Sequence, residues 1–139
     1  MISAPTREKA SRRGTRTLLA VEDEATTRGL LRDVLRRDGY RVLCADTGAR
    51  ALARLRRAHV DLVLLDLGMP DMTGIQVLRR IRRMAHPPRV VVLTGFGDLD
   101  SVREVMRLGA YDYLTKPCSL QCLSRVIGEA LEPAAGCGE

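Results

Sequence analysis

Four places in the chain carry side chains that could do chemistry together: the acidic run Glu22-Asp23-Glu24, then Asp66, Thr94 and Lys116. The acidic run, Asp66 and Thr94 each follow an apolar run directly, and Lys116 lies just past a shorter one. Carboxylates brought side by side repel one another unless a cation neutralises them. Glu22, Asp23 and Asp66 offer oxygen ligands suited to Mg²⁺, a hard ion that keeps several waters and binds few protein carboxylates. Lys116 adds a compact point charge for a phosphate oxygen, and the Thr94 hydroxyl can hydrogen-bond a second one. One carboxylate must then be the nucleophile, and Asp66 stands at the end of the strand expected at the centre. These are the parts of a phosphoryl-transfer site, where catalysis is mostly positioning and charge neutralisation.

Such a site needs elements that bring distant positions to one rim. Apolar runs predict strands over Thr17–Val21, Arg41–Ala45, Asp61–Leu65, Arg89–Thr94 and Tyr111–Leu114. Between and after them the 3.6-residue period predicts helices near 25–37, 47–58, 73–84, 98–108 and 119–131. Thr73-x-x-Gln76 and Ser101-x-x-Glu104 have capping-box spacing, and Gly39 and Gly109 sit where helices should stop. Strict β–α alternation implies a parallel sheet covered by helices on both faces. Leu18–Val21, Leu62–Leu65 and Val90–Leu93 are continuously apolar, as strands buried on both faces must be. Arg41 and Asp112 interrupt the second and fifth runs, which suits edges. The expected architecture is therefore an α/β flavodoxin-like (βα)₅ three-layer sandwich with strand order 2-1-3-4-5. In such a sheet ligands bind beyond the carboxyl ends of the strands, where these polar residues fall.

The 139 residues, 45% apolar and 29% charged, fit one aliphatic core; with one Phe, three Tyr and no Trp, the scarce aromatics argue against a base-stacking surface. No apolar run reaches membrane-span length and no signal peptide is evident, so a cytoplasmic protein without membrane contact is expected. The net charge of +6 is concentrated at the start: Arg7, Lys9, Arg12, Arg13 and Arg16 face only Glu8. Residues 1–16 read as a disordered basic tail, 17–132 as the folded domain and 133–139 as a short C-terminal tail. The remaining arginines are expected on helix faces among acids. Cys44, Cys118, Cys122 and Cys137 lack metal-site spacing and read as small core or surface residues. His59 and His86 read as surface residues, Asp71, Asp98 and Asp100 as loop or capping residues, and Tyr111 as an edge-strand core residue.

The motifs Val21-Glu22-Asp23-Glu24, Leu64-Leu65-Asp66-Leu67-Gly68-Met69-Pro70, Leu93-Thr94-Gly95 and Tyr113-Leu114-Thr115-Lys116-Pro117 resemble, in order and at their strand ends, the receiver domain of bacterial response regulators. The resemblance covers about Thr17 to Leu131, and Gly109–Pro117 is most similar to receivers of the nitrogen-regulator type. It implies that Asp66 is the phosphoacceptor and that Glu22, Asp23 and the Gly68 carbonyl hold Mg²⁺. It also implies that Thr94 and Lys116 bind the phosphoryl group, that Tyr113 is the aromatic switch, and that Pro117 follows a cis peptide. A sensor histidine kinase or histidine phosphotransfer protein would supply the phosphoryl group. The surface of the fourth helix, fifth strand and fifth helix would then control a downstream protein partner, and a homodimer through it stays open.

Three departures from the common pattern matter: Glu22 stands where many receivers have Asp, Gly68 leaves one wall bare, and Phe96 is bulky. Two other functions compete. An Asp-nucleophile phosphohydrolase would need a second acid two residues after Asp66, where Gly68 stands. A pseudo-receiver should have lost Asp66, Thr94 or Lys116, and none is missing. The chain is thus expected to act as a switch, not an enzyme beyond its own phosphorylation and dephosphorylation. The few residues after Leu131 leave no room for a helix-turn-helix, so direct DNA binding is not expected.

Overall fold

The apolar runs and helical periods become five strands and five helices in strict alternation. They are β1 (Thr17–Val21), α1 (Ala25–Arg37), β2 (Arg41–Ala45), α2 (Gly48–Arg57), β3 (Leu62–Asp66), α3 (Gly74–Arg82), β4 (Arg89–Thr94), α4 (Leu99–Arg107), β5 (Asp112–Thr115) and α5 (Leu120–Leu131). The computed structural model describes residues 15–69, 71–95 and 99–132. Nearly all of the expected basic tail, the C-terminal tail with Cys137, and Pro70, Phe96 and Asp98 lie outside the described residues. The sheet is parallel throughout, in the order β2-β1-β3-β4-β5, as expected. No helix among the described residues is long and apolar enough to cross a membrane.

Alternation of side chains along the inner strands divides the core into two layers. Leu19, Val21, Val63, Leu65, Val90 and Val92 pack with Ala51, Leu55, Val77, Leu78, Ile81 and Val105, from α2, α3 and α4. Leu18, Leu62, Leu64, Val91 and Leu93 face the other way, onto Leu31 and Leu35 of α1 and Leu123, Val126 and Ile127 of α5. All five positions of β3 are buried, which explains its unbroken apolar run. Burial of each such Leu contributes about 1.5–3 kcal/mol, so the central strand is firmly held.

Helix starts follow local chemistry. Thr73 and Gln76 form the expected capping box of α3, Thr47 caps α2 and Ser119 caps α5. Gly39 and Gly109 take positive φ at helix ends, as expected.

Four local expectations are corrected. Strands β3 and β5 each begin and end one residue later than expected. Asp61 lies just before β3, where its carboxylate accepts the Thr17 N–H at 2.8 Å. Ser101 lies inside the first turn of α4 instead of capping it. Glu104 does not reach back but pairs with Arg79 at 3.0 Å and with Arg107. Tyr111 is not core: it is 39% exposed before β5, with the Arg89 guanidinium 5.5 Å from its ring centroid. The arginines of α2 and α3 are not interspersed with acids, since neither helix contains one.

Candidate functional site

Parallel register carries the polar residues to one edge of the sheet. Val21 pairs with Leu65, Asp66 with Leu93 and Thr94 with Thr115, so each chemical residue lies at or just past the carboxyl end of its strand. Counting side-chain alternation from the core layers, Asp66 falls on the α1/α5 side, and Thr94 and Tyr113 on the α4 side.

Glu22 is 1% exposed and Asp66 8%, so two carboxylates are buried here while Asp23 stays in solvent. One oxygen from each of Glu22, Asp23 and Asp66 lies within 4.8 Å of the others. The Lys116 ammonium donates to Glu22 Oε1 at 2.8 Å and lies 3.6 Å from Asp66 Oδ2. Glu22 Oε2 accepts the Glu24 N–H at 3.1 Å, and Asp66 Oδ1 accepts the Gly68 N–H at 3.1 Å. Burial pushes the Glu22 carboxyl above its ordinary pKa, against the hydrogen bonds from Lys116 and Glu24. Burial alone would lower Lys116, but the hydrogen bond to Glu22 and the charges of Asp66 and Glu22 outweigh it. Lys116 is held above its ordinary value and stays charged. Three carboxylates against one ammonium leave two negative charges in excess, and all the acidic donors are hard oxygens. That donor set fits a divalent cation such as Mg²⁺.

Thr94 is 1% exposed, and its carbonyl accepts the Lys116 N–H at 2.7 Å, which ties β4 to the lysine. Tyr113 stands opposite Val92, half-buried against the α2–α4 layer. The Lys116–Pro117 peptide is cis. Cys44, Cys118 and Cys122 are free thiols, partly buried against the α1/α5 layer. His59 and His86 are exposed, and the His59 ring lies 3.0 Å from Asp61.

Three supports had no clear signal in the sequence. Arg28 donates to the carbonyls of Glu22 and Asp23 at 3.0 and 3.2 Å, which shapes the acidic turn. Glu24 caps α1 by accepting the Thr27 N–H at 2.7 Å, a role that spacing alone does not reveal for Glu. Asp71 is indeed a capping residue, but for another helix. Its carboxylate accepts the N–H groups of Gly48 and Ala49 at 2.8 and 2.9 Å, pinning the β3–α3 loop to the start of α2. At the loop's other end Gly74 allows close approach: a Cβ there would lie 2.5 Å from Leu67 Cα and 2.8 Å from the Asp66 carbonyl oxygen.

Comparison with known proteins gives a consistent picture. The family model described as "Response regulator receiver domain" matches residues 18–127. Regulatory protein AtoC of Escherichia coli (strain K12) is 33% identical over 115 residues, covering 83% of this chain and 25% of that protein. The chain thus spans about a quarter of AtoC's length. Sporulation initiation phosphotransferase F of Bacillus subtilis (strain 168) is 37% identical over 100 residues, covering 72% of this chain and 81% of that protein. The crystal structure of a response regulator receiver domain protein from Clostridium thermocellum superimposes with a TM-score of 0.78 at 34% identity, covering 84% of this chain and 94% of that one.

Proposed function

Since the chain belongs to the response regulator receiver domain family and is a receiver domain of two-component phosphorelay signalling, we propose that Asp66 is its phosphoacceptor. The observation that carries this reading is the seat of Asp66: a carboxylate at the end of the central strand, with Lys116 3.6 Å away and two further acids beside it. In the reaction an Asp66 carboxylate oxygen attacks phosphorus while the bond from phosphorus to a donor histidine nitrogen breaks. The nitrogen keeps the electron pair and takes a proton from water, and Asp66 becomes an acyl phosphate. Lys116 stabilises the charge on the transferring group, and the Thr94 hydroxyl receives one of its oxygens. Glu22, Asp23, Asp66 and the Gly68 carbonyl would hold Mg²⁺, which supplies neutralisation of phosphoryl charge when bound.

The phosphoryl donor is a sensor histidine kinase or a histidine phosphotransfer protein, and the signal leaves through α4, β5 and α5 to a protein partner. Loose packing of α4 and β5 supports this reading. Val105 is the only buried residue of α4, β5 is at most half-buried, and Leu99 and Met106 are 60% and 40% exposed. Elements with few buried contacts shift most easily when a new charge biases them. Drawing Thr94 toward a phosphoryl oxygen would open space for the Tyr113 ring, which lies on the same side of the sheet.

Peptide mapping after transfer from a phosphohistidine donor tests the assignment. The label should be cleaved by hydroxylamine, as an acyl phosphate is, and should map to the peptide containing Asp66. A stable label, or one on another peptide, would overturn it.

A further inference from the structure

Helix α2 carries Arg50, Arg54, Arg56 and Arg57 without an acidic residue. Three of them line a groove of about 600 Å³ between α1, β2 and α2, where Arg28 joins them over a floor that includes Cys44 and Ala53. Arg50, Arg54 and Arg57 recur at i, i+4 and i+7, one stripe about 10 Å long. Within the groove Arg50 is ion-paired, to Asp46 at 2.9 Å, and Arg28 is spent on two backbone carbonyls. Among the described residues the Arg54 and Arg57 guanidinium groups have no hydrogen bond or ion pair, and both residues are exposed.

Complementing the helix dipole is the plainest reason for arginines at a helix end. It accounts for Arg54 and Arg57 in the last turn of α2. Arg50, in the first turn, is held by its pair with Asp46, and Arg28 by the acidic turn it shapes, so the guanidinium groups left over the groove are those of Arg54 and Arg57. The groove also reaches the carboxyl end of β2, at Cys44 and Ala45, and β2 pairs only with β1 and so offers an open sheet edge. A concave, cationic channel beside a strand edge suits an extended chain, whose alternate side chains stand about 6.6 Å apart and can meet successive arginines. With no aromatic side chain in its lining, the groove has no platform for stacking bases.

We propose that this groove binds an extended acidic segment of a partner protein, with its carboxylates on Arg54 and Arg57, beside the already paired Arg50 and Arg28, and its backbone at the carboxyl end of the β2 edge. The site lies at the opposite edge of the sheet from β5, so a partner held there leaves α4, β5 and α5 free. The proposal does not depend on Asp66, and its test uses no phosphorylation.

The experiment is fluorescence anisotropy of a labelled peptide alternating Glu and Val, about eight residues long so that it outspans the stripe at ~3.3 Å per residue. The full chain should bind it saturably, and binding should weaken as salt rises. Arg54→Glu with Arg57→Glu should weaken it by about ten-fold or more, whereas Arg83→Glu, outside the groove, should leave it unchanged. Far-UV circular dichroism verifies folding; if the charge reversal does not fold, Arg54→Gln with Arg57→Gln replaces it. Absence of saturable binding by the folded chain, an equal loss in Arg83→Glu, or tighter binding of a short DNA duplex than of the peptide would each overturn the proposal.

Discussion

The Lys116 ammonium rests against Glu22, at 2.8 Å, and stands back from Asp66, at 3.6 Å. The more deeply buried acid thus has the nearer claim on the lysine, and Asp66, slightly more open, keeps its carboxylate further from the ammonium. Glu22 therefore serves as the anchor that holds a charged lysine beside Asp66. Its extra methylene relative to Asp lengthens the reach across the rim.

Removing that lysine should be felt first by Glu22. Lys116→Ala leaves a 1%-exposed carboxylate without its ammonium, which should cost about 1–3 kcal/mol at neutral pH while the domain stays folded. Because burial already raises the Glu22 pKa, protonation relieves the strain, so the deficit should shrink as pH falls toward and below the ordinary value of 4.5. Urea unfolding of both proteins across that range measures it. A deficit that grows on acidification contradicts the pairing. The same variant, once phosphorylated, should fail to transmit the change to α4, β5 and α5.

Asp71 should show the opposite pH sign. Backbone N–H groups of Ala49 and Gly48 hold its carboxyl below the ordinary pKa of 3.8. A depressed acid adds stability that is present above its unfolded value and is lost as pH falls through its folded one. Asp71→Ala should therefore be less stable than the wild type at neutral pH, and the two should converge below about pH 3.8. Denaturant midpoints at neutral and acid pH decide the matter; a gap independent of pH would show that the charge is not what caps α2.

Two glycine substitutions should move stability in opposite directions. Gly74→Ala drives a methyl into the backbone of Leu67 and Asp66, a clash costing about 1–3 kcal/mol although alanine favours helix. A methyl added at Gly128, inside α5, would meet nothing within 4 Å, so Gly128→Ala should stabilise by up to about 1 kcal/mol. Thermal melts of the pair test the close approach. Equal effects would refute it.

Divalent cation should stabilise the domain through the acidic triad. Mg²⁺ that binds only the folded state raises the melting temperature with concentration. Asp23→Asn, at an exposed position, should abolish most of that rise without changing the melt in chelator. An unchanged rise in the variant would move the cation elsewhere.

Much of this was legible in the sequence because the informative patterns were local. Unbroken apolar runs at Leu62–Leu65 and Val90–Leu93 mark strands covered on both faces, and polar residues right after them mark the rim. Strand order followed from which runs Arg41 and Asp112 interrupt. What stayed hidden depends on distance in the chain. Asp71 caps a helix 23 residues earlier, and Arg28 folds back on carbonyls that no side-chain pattern announces. Ser101-x-x-Glu104 misled because Glu104 finds Arg79, 25 residues away, a tertiary partner that outcompetes the local cap. Tyr111 misled because β5 starts one residue later, which leaves the ring stacked beside Arg89 outside the core.

The most direct test of the central claim is the intact mass of the chain after incubation with acetyl phosphate, with and without Mg²⁺, for the wild type and Asp66→Asn. A single phosphate adduct that requires Mg²⁺ and is absent from Asp66→Asn is the predicted result. An adduct that survives the Asp66→Asn substitution, or a folded wild type that takes none with Mg²⁺ present, would contradict it.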